Sequence, residues 1–348
     1  MTAPDLIVTN LNRRFTGVSA TAAAVAREQA KTLDLRLAGH PLPGLPEPVS
    51  LREAIRLSRH PKPGRAFTIW HVRRNPEMQA AIIARDVLRL PIRIVFTSAA
   101  QRRHSAWPRW LISRMDRVIA TTDEAAGFLK HVAAVIPHGV DTGTFRPATD
   151  RRAAWAASGF PGTAGIATVG RIRPEKGTDR FVDSAIRTLP GLPGVTALAI
   201  GQARGRDAGF LDRLRQRVAA AGLADRILFP GELPPERLAA LLPGLSLLVA
   251  LPRYEGYGVT PLEAMACAVP VVATEAGHFR AFVGQGEAGL IVEPDEAAGA
   301  VRALLADPAR IETLGRSARR RVEAGFSVTG EAAAIGRVYE ALWSGDLS

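Results

Sequence analysis

Short apolar segments that alternate with helical patterns most constrain the fold of this 348-residue chain. The first half contains six strand-like runs, at residues 5–8, 33–37, 66–69, 92–96, 117–120 and 133–136. The second half contains five more, at residues 166–169, 195–200, 227–229, 247–251 and 271–273. Uniformly apolar strands joined through helices predict parallel sheets with both faces covered. The pattern therefore predicts an α/β chain of two doubly wound domains, with the ligand cleft at the carboxyl ends of the strands.

A polar segment with a proline, at residues 142–150, predicts the linker between the two domains. We expect domains at residues 1–143 and 144–328, followed by a C-terminal segment at 329–348. A last helical pattern, from Thr329 to Trp343, predicts that this segment is a helix.

Composition indicates a globular protein of a reducing compartment. Hydrophobic residues make up 47% of the chain, which excludes a disordered one. Cys267 is the single cysteine, so the chain cannot form an intramolecular disulfide. The N-terminus lacks the layout of a signal peptide, and no apolar run has the length of a bilayer span. We therefore expect a cytoplasmic protein.

The positive charge is concentrated in the first half of the chain. Residues 1–150 carry 22 Lys and Arg against 12 Asp and Glu, whereas residues 151–348 carry 23 against 21. This imbalance predicts an anionic partner for the first half: nucleic acid, an acidic membrane surface or a phosphorylated acceptor. An Arg-rich composition without any such partner is the equally weighted alternative.

One glycine-containing segment, from Pro252 to Ala266, follows a buried strand and opens a helix. Its glycines let backbone N–H groups approach a ligand closely. Thr260 suits the N-cap and Pro261 the first helical position, so the helix would begin with free N–H donors and a positive dipole end. Such a helix start can hold a diphosphate. Alternatively, Thr260 and Glu263 form a capping box, which explains Glu263 without any ligand.

A second segment, from Gly170 to Gly177, follows the first strand of the C-terminal domain and contains Arg171 and Lys176. Fixed cations at this place can stabilise the negative charge that develops on a leaving nucleotide. The alternative is a solvated basic loop.

These two segments together resemble the large family of retaining glycosyltransferases with the GT-B fold that is usually numbered four. Seven residues separate Glu255 from Glu263, and four separate Arg171 from Lys176, as in the motifs of that family. The resemblance implies that Glu255 contacts the donor sugar, that Glu263 holds the nucleotide ribose, and that Arg171 and Lys176 grip the diphosphate. The expected catalytic residues are Glu255, Arg171 and Lys176.

The resemblance also implies a wider donor site, a fold and a reaction. The further donor-binding positions are Gly17, Gly170, Gly201, Gly231, Gly256, Tyr257, Gly258, Val259 and Thr260. The implied fold has two facing Rossmann-like domains and a C-terminal helix that packs back on the N-terminal domain. The implied reaction transfers a hexose with retention, without a catalytic nucleophile, the donor phosphate helping to take the acceptor proton. Neither a cofactor nor a metal is expected, because the sequence contains no metal-ligand cluster of recognisable spacing.

The segment from Trp70 to Asp141 is similar to the lipopolysaccharide core mannosyltransferases of Gram-negative bacteria. This likeness implies GDP-mannose as donor and an anionic, lipid-linked, Kdo-containing acceptor. It also implies peripheral contact with the cytoplasmic face of the inner membrane. Three basic clusters at predicted strand ends would face the acceptor: Arg13 with Arg14, residues 70–75 and residues 96–104.

Three alternatives remain open at this point. A UDP-sugar with another acceptor would keep the enzyme class. A nucleic-acid or anionic-polymer binding protein would explain the charge, although no recognisable nucleic-acid motif supports it, so we expect no nucleic-acid partner. A non-catalytic scaffold of the same fold is the third.

Overall fold

The computed structural model describes residues 3–345, which contain twelve β-strands and fourteen α-helices. The strands are β1 (Leu6–Asn10), β2 (Leu35–Gly39), β3 (Thr68–Val72), β4 (Ile92–Ser98), β5 (Arg117–Ala120), β6 (Val132–Val135), β7 (Ala164–Val169), β8 (Val195–Ile200), β9 (Ile227–Gly231), β10 (Leu245–Ala250), β11 (Val271–Ala273) and β12 (Gly289–Ile291). The helices are α1 (Gly17–Gln29), α2 (Leu51–Leu57), α3 (Asn75–Ile82), α4 (Ala106–Ile112), α5 (Asp123–Gly127), α6 (Arg151–Ala157), α7 (Thr178–Thr188), α8 (Ala208–Ala220), α9 (Pro235–Leu241), α10 (Val259–Ala266), α11 (Phe279–Val283), α12 (Ala297–Leu305), α13 (Pro308–Gly325) and α14 (Val328–Ser344). A π-helical turn, Ile83–Val87, continues α3.

The chain divides into two compact units. The first unit combines the chain up to Gly139 with the chain from Ser327 onward, and the second unit runs from Val140 to Phe326. The predicted linker, residues 142–150, lies inside the second unit, and its prediction as a linker is wrong. The Arg319 guanidinium on α13 donates to the Phe145 carbonyl at 2.8 Å and also to the Thr142 carbonyl, which fixes this segment to the unit.

The sheet of the first unit contains β1 to β6, all six of which the sequence predicts. Its order is β2-β1-β3-β4-β5-β6, and every pair of neighbours is parallel. In the register of β1, Val8 lies opposite Leu37 on one side and His71 on the other. The chain runs outward from β1 to β2 and then continues on the other side with β3. The strand order therefore reverses between β1 and β3, and the loops after these two strands border the crevice at that point.

Helix α14 completes the first unit, as the sequence predicts for a C-terminal helix. It packs against α1, and the Tyr339 side chain is fully buried. The Tyr339 hydroxyl pairs with Nδ1 of His71 on β3 and accepts from Nε2 of Gln29 at 3.3 Å. At the other end of the helix, the Glu331 carboxylate lies 2.7 Å from Nδ1 of His138. These contacts tie the last helix to the carboxyl-end half of the sheet.

The sheet of the second unit has the order β12-β11-β10-β7-β8-β9, again with parallel neighbours throughout. Its order reverses at β7, which lies between β8 and β10. Strands β7 to β11 overlap the five that the sequence predicts. Strand β12 is missed because it has only three residues, of which the first is Gly289 and the other two are partly exposed.

We expect Tyr339→Ala to destabilise the first unit by about 3–5 kcal/mol, because the change leaves a cavity and removes two buried hydrogen bonds. The free energy of unfolding is measured by urea titration, with hydrogen exchange of the β3 amides reporting on this unit. Arg337→Ala, at an exposed position of the same helix, is the control. An effect of Tyr339→Ala no larger than that of the control would contradict the role given to α14.

Candidate functional site

Two loops meet at the reversal point of the second sheet. One follows β7 and contains Lys176, and the other follows β10 and contains Glu255. The Lys176 ammonium lies 2.5 Å from a carboxylate oxygen of Glu255, and both side chains are partly buried. Two of the three predicted catalytic residues are therefore brought together from positions far apart in the chain.

Glycines allow the loop after β7 to run close to the rest of the sheet. Gly201 has a φ of +144°, and a Cβ atom there would lie only 1.8 Å from the Gly170 carbonyl oxygen. Gly177 has a φ of +68°, and its Cβ atom would lie 1.8 Å from the Leu251 carbonyl oxygen. No other residue fits at either position without moving the backbone. Of the predicted glycines, Gly201 is thus needed for the close approach of the two backbone segments, whereas a Cβ atom at Gly170 would meet open space, although its φ is +151°.

Arg171, the third predicted catalytic residue, extends from the same loop into solvent. Its side chain forms no hydrogen bond or ion pair with any other residue between positions 3 and 345, and it is exposed. An unpaired guanidinium beside the Lys176–Glu255 pair is available for an anionic ligand such as a diphosphate.

Arg253 ties the two loops to one another. Its guanidinium donates to both carboxylate oxygens of Asp179 on α7, at 2.7 and 2.8 Å. Its backbone N–H donates to the Glu175 carbonyl at 2.9 Å. The sequence analysis assigned Arg253 no role, because its partners lie more than seventy residues away.

The loop after β10 ends at a glycine that the fold requires. Gly258 has a φ of +90°, and a Cβ atom there would lie 2.1 Å from the Phe279 ring. Helix α10 begins directly after it, at Val259, with Gly258 as its N-cap. The prediction that Thr260 is the N-cap is therefore wrong, and so is the capping box with Glu263. Thr260 lies inside the first turn because the left-handed backbone of Gly258 ends the loop and the helical conformation begins at Val259.

Glu263 lies on α10 in a different environment from Glu255. Its carboxylate forms no hydrogen bond or ion pair with another residue in the described range 3–345. Burial raises its pKa to about 7, although part of its side chain remains accessible. A carboxyl group that is partly protonated near neutral pH can both donate and accept hydrogen bonds, as vicinal hydroxyl groups require.

The remaining predicted donor positions do not all lie at this site. The Tyr257 ring is buried and stacks on His278 at 5.5 Å between ring centroids, so it supports the loop from the core side. The Gly256 N–H donates to the Glu255 carboxylate at 3.0 Å. Gly231, at the end of β9, accepts from the Gly201 N–H at 2.8 Å. Gly17 belongs to the first unit, where it is the first residue of α1 rather than part of a preceding loop.

A second polar cluster surrounds the reversal point of the first sheet. The Arg74 guanidinium, directly after β3, donates to Asn10 Oδ1 at 3.1 Å and to Ser19 Oγ at 2.8 Å. The fully buried carboxylate of Glu77 accepts from Arg74 and from the Leu11 N–H at 3.3 Å. Arg74 and Glu77 thereby fix the loop between β1 and α1.

The neighbouring Arg73 donates its backbone N–H to Glu77 at 2.8 Å, but its guanidinium has no such partners among the described residues. Its Nε and Nη1 atoms are buried without a hydrogen bond to any described residue, and burial lowers its pKa. The two nearby carboxylates are occupied elsewhere, because Glu331 binds His138 and the Gly139 N–H, while Glu77 binds Arg74. Buried guanidinium donors without acceptors are rare in proteins. An anionic ligand would supply the missing acceptors.

His71 lies beside Arg73 in this cluster and is uncharged at neutral pH. Burial, with the Arg73 charge adding to it, lowers its pKa well below the ordinary value. Its Nε2 atom pairs with the Thr97 hydroxyl at 2.8 Å, and its Nδ1 pairs with Tyr339. His71 therefore links β3, β4 and α14 without adding charge.

Within residues 3–345, no group of three or more His, Cys, Asp or Glu side chains could hold a metal ion. The expectation that the reaction needs no metal stays a prediction. No helix in the same range is both long and apolar enough to cross a bilayer.

Comparisons with known proteins point to one family. The profile described as "Glycosyl transferases group 1" matches residues 156–321. The lipopolysaccharide core biosynthesis mannosyltransferase LpsB of Rhizobium meliloti (strain 1021) is 43% identical over 97% of this chain and 97% of its own length. LpcC of Rhizobium leguminosarum bv. viciae, with the same description, is 41% identical over 97% of this chain and 96% of its own. Among solved structures, Anabaena HepE in complex with UDP has a TM-score of 0.82 at 17% identity, covering 97% of this chain and all of that one, which shows the fold.

We expect Glu263→Gln to flatten the pH dependence of stability in the ligand-free protein. Because the folded-state pKa is raised to about 7, the protonated carboxyl favours the folded state at low pH, and this contribution is lost as the pH rises through 7. Between pH 5 and 8, wild type should lose about 2–3 kcal/mol of unfolding free energy relative to the variant.

Urea titrations at the two pH values give this difference. Glu236→Gln, which removes an exposed carboxylate on α9, is the control and should follow wild type. If Glu263→Gln shows the same change in unfolding free energy with pH as wild type, the Glu263 carboxyl does not have the raised pKa described above.

Proposed function

This chain belongs to the glycosyl transferases group 1 family, and from that premise we propose a specific reaction for it. The protein transfers mannose from GDP-mannose, with retention of configuration, to an anionic lipid-linked saccharide. That acceptor is a Kdo-containing precursor of the lipopolysaccharide core. The GT-B fold, with its two parallel six-stranded sheets, is the one that the sequence predicts.

The observation that carries this proposal is the pairing of Lys176 with Glu255 at the reversal point of the second sheet, with the exposed Arg171 on the same loop as Lys176. When the bond from the sugar to the diphosphate breaks, negative charge builds on the leaving nucleotide. Two fixed cations next to it stabilise that charge. In the ligand-free protein, the Lys176 ammonium is neutralised by Glu255, so a bound diphosphate would compete for it and free the carboxylate to face the sugar.

The two glutamates would then have different tasks. Glu255, held at the loop by Lys176 and by the Gly256 N–H, would accept hydrogen bonds from sugar hydroxyls. Glu263, which has no partner in the described chain and a raised pKa, would bind the ribose hydroxyls. No protein nucleophile is required, since the donor phosphate would accept the acceptor proton, and protein groups would supply position and charge stabilisation.

The choice of mannose rests on the relatives. Two proteins that match this chain over nearly its whole length, at 43% and 41% identity, are described as lipopolysaccharide core biosynthesis mannosyltransferases. A solved protein of the same fold, HepE, binds UDP. A UDP-sugar donor is therefore the alternative to be tested.

An anionic acceptor is supported by the first unit. The basic half of the chain forms most of that unit, and Arg73 offers buried guanidinium donors that no described residue accepts. A carboxylate or phosphate on the acceptor has the matching charge and geometry. An acceptor of this kind is embedded in a bilayer, so we also propose peripheral contact with the cytoplasmic face of the inner membrane.

We expect calorimetric titration to show that GDP and GDP-mannose bind more tightly than UDP and UDP-glucose. The double variant Arg171→Ala with Lys176→Ala should weaken GDP binding at least about 100-fold, because two charge-assisted contacts are removed. Arg215→Ala, an exposed arginine on α8 of the same unit, should bind GDP like wild type. A preference for UDP would contradict the mannose donor, and no binding of any of the four would contradict the donor site.

We expect Arg73→Met to raise the KM for the acceptor about 10- to 100-fold, with GDP binding unchanged, since the loss of a charge-assisted contact acts on one substrate only. The acceptor-free variant should be at least as stable as wild type, because an unpaired buried charge is removed. Arg52→Met, at an exposed position on α2, is the control. A destabilised variant with an unchanged KM would assign Arg73 a structural role instead.

A further inference from the structure

Two tryptophans on the first unit are exposed to solvent and stacked on each other. Trp107 is 52% and Trp110 43% exposed, and their rings lie 5.1 Å apart between centroids and nearly parallel, at 8°. Both belong to α4, the short helix after β4. The Arg114 guanidinium lies 5.3 Å from the Trp110 ring centroid. Large aromatic side chains on a soluble surface mark sites that bind a partner.

Buried residues on the opposite side of α4 explain why the two tryptophan rings lie outside the core. Leu111 and Ile112 are buried in the core of the unit and fix the orientation of α4. The tryptophans therefore lie on the face of α4 that these anchors leave outside the core. Helix α3, which packs against α4, is continued by a turn in which Ile83, Val87 and Leu88 are also exposed.

The segment that carries the tryptophans is positively charged, and the one nearby carboxylate that acts on its arginines is Asp86, near Arg114, among the described residues. Residues 99–115 contain four arginines and neither Asp nor Glu. We name the exposed tryptophans and these arginines the α4 surface, which consists of Arg102, Arg103, Trp107, Arg109, Trp110 and Arg114. Except for the guanidinium of Arg114 on Trp110, none of its arginines has a partner in the described part of the chain, residues 3–345.

We propose that the α4 surface binds the headgroup region of an anionic lipid bilayer. Tryptophan prefers the boundary between headgroups and acyl chains, because its ring is apolar and its N–H is polar. Arginines at the same level are attracted by anionic lipids. Stacked rings enter the boundary as one rigid apolar wedge, at a small cost in side-chain entropy. The inference deepens the proposed function, on whose lipid-linked acceptor it rests.

The combination of aromatic and cationic groups also occurs in proteins that bind single-stranded nucleic acids, where bases stack on separate rings. Here the two rings already stack on each other at 5.1 Å, which leaves no space for a base between them. The bilayer is therefore the occupant that the geometry favours.

The test is flotation of the whole protein with lipid vesicles, one set of phosphatidylcholine alone and one containing 30% phosphatidylglycerol. We expect binding to the anionic set that weakens with salt. The double variant Trp107→Ala with Trp110→Ala should reduce it at least about tenfold. Phe128→Ala removes another exposed aromatic ring of the same unit and should not change it. Hydrogen exchange of the β3 amides measures whether the first unit is folded in each variant.

Several outcomes would overturn the inference. One is that wild type binds GDP but no anionic vesicles. A second is that the double variant binds vesicles as wild type does. A third is that oligonucleotides, but not vesicles, bind in a manner that depends on the tryptophans. Transfer to a delipidated, soluble acceptor separates this inference from the proposed function. The double variant should carry out that transfer at the wild-type rate, whereas failure of transfer in wild type would contradict the proposed function alone.

Discussion

Parallel pairing of all twelve strands is the constraint on which the rest of the structure depends. In a parallel sheet, the carboxyl ends of all strands lie at the same edge. Where the strand order reverses, the chain leaves two neighbouring strands in opposite directions, and the loops after these strands border one crevice. In the second unit the reversal lies between β7 and β10. The segments that follow these strands carry the cations and the carboxylate, so Lys176 and Glu255 meet although 79 positions separate them. The same constraint brings the segments after β1 and β3 together in the first unit.

Close approach at these edges is possible only because glycines stand at particular positions. Gly177, Gly201 and Gly258 each have a positive φ, and a Cβ atom at any of them would overlap a neighbouring atom within about 2 Å. The loops can therefore press against the strand ends and hold Lys176 and Glu255 in place. A rigid frame of this kind fixes the positions of the cation and the carboxylate, so that a ligand has to change only their pairing.

The sequence was sufficient to predict most strands and the loops after β7 and β10, because the patterns that indicate them lie within short segments of the chain. Apolar runs predicted eleven of the twelve strands, and the spacing of Glu255 and Glu263 indicated the loop after β10. Thr260 was misplaced as the N-cap because the helix begins after Gly258, a glycine in the left-handed conformation, and a Cβ atom at that position would overlap Phe279 of another element. Residues 142–150 were mistaken for a linker because Arg319, which holds them, lies about 170 residues later. Residues 70–75 and 96–104 were predicted as basic clusters, but the unsatisfied guanidinium of Arg73 and the stacking of Trp107 on Trp110 could not be predicted, since both are properties of the folded arrangement.

The two units use charge in opposite ways. In the second unit, Lys176 is already matched by Glu255, so an incoming anion must exchange one partner for another. In the first unit, Glu77 and Glu331 are close to Arg73 but are committed to Arg74 and to His138. One of these two carboxylates comes from α14, the last helix of the chain, together with Tyr339. The docked α14 therefore leaves Arg73 without a carboxylate partner, because Glu331 is held by His138 and by the Gly139 N–H and does not accept from the Arg73 guanidinium.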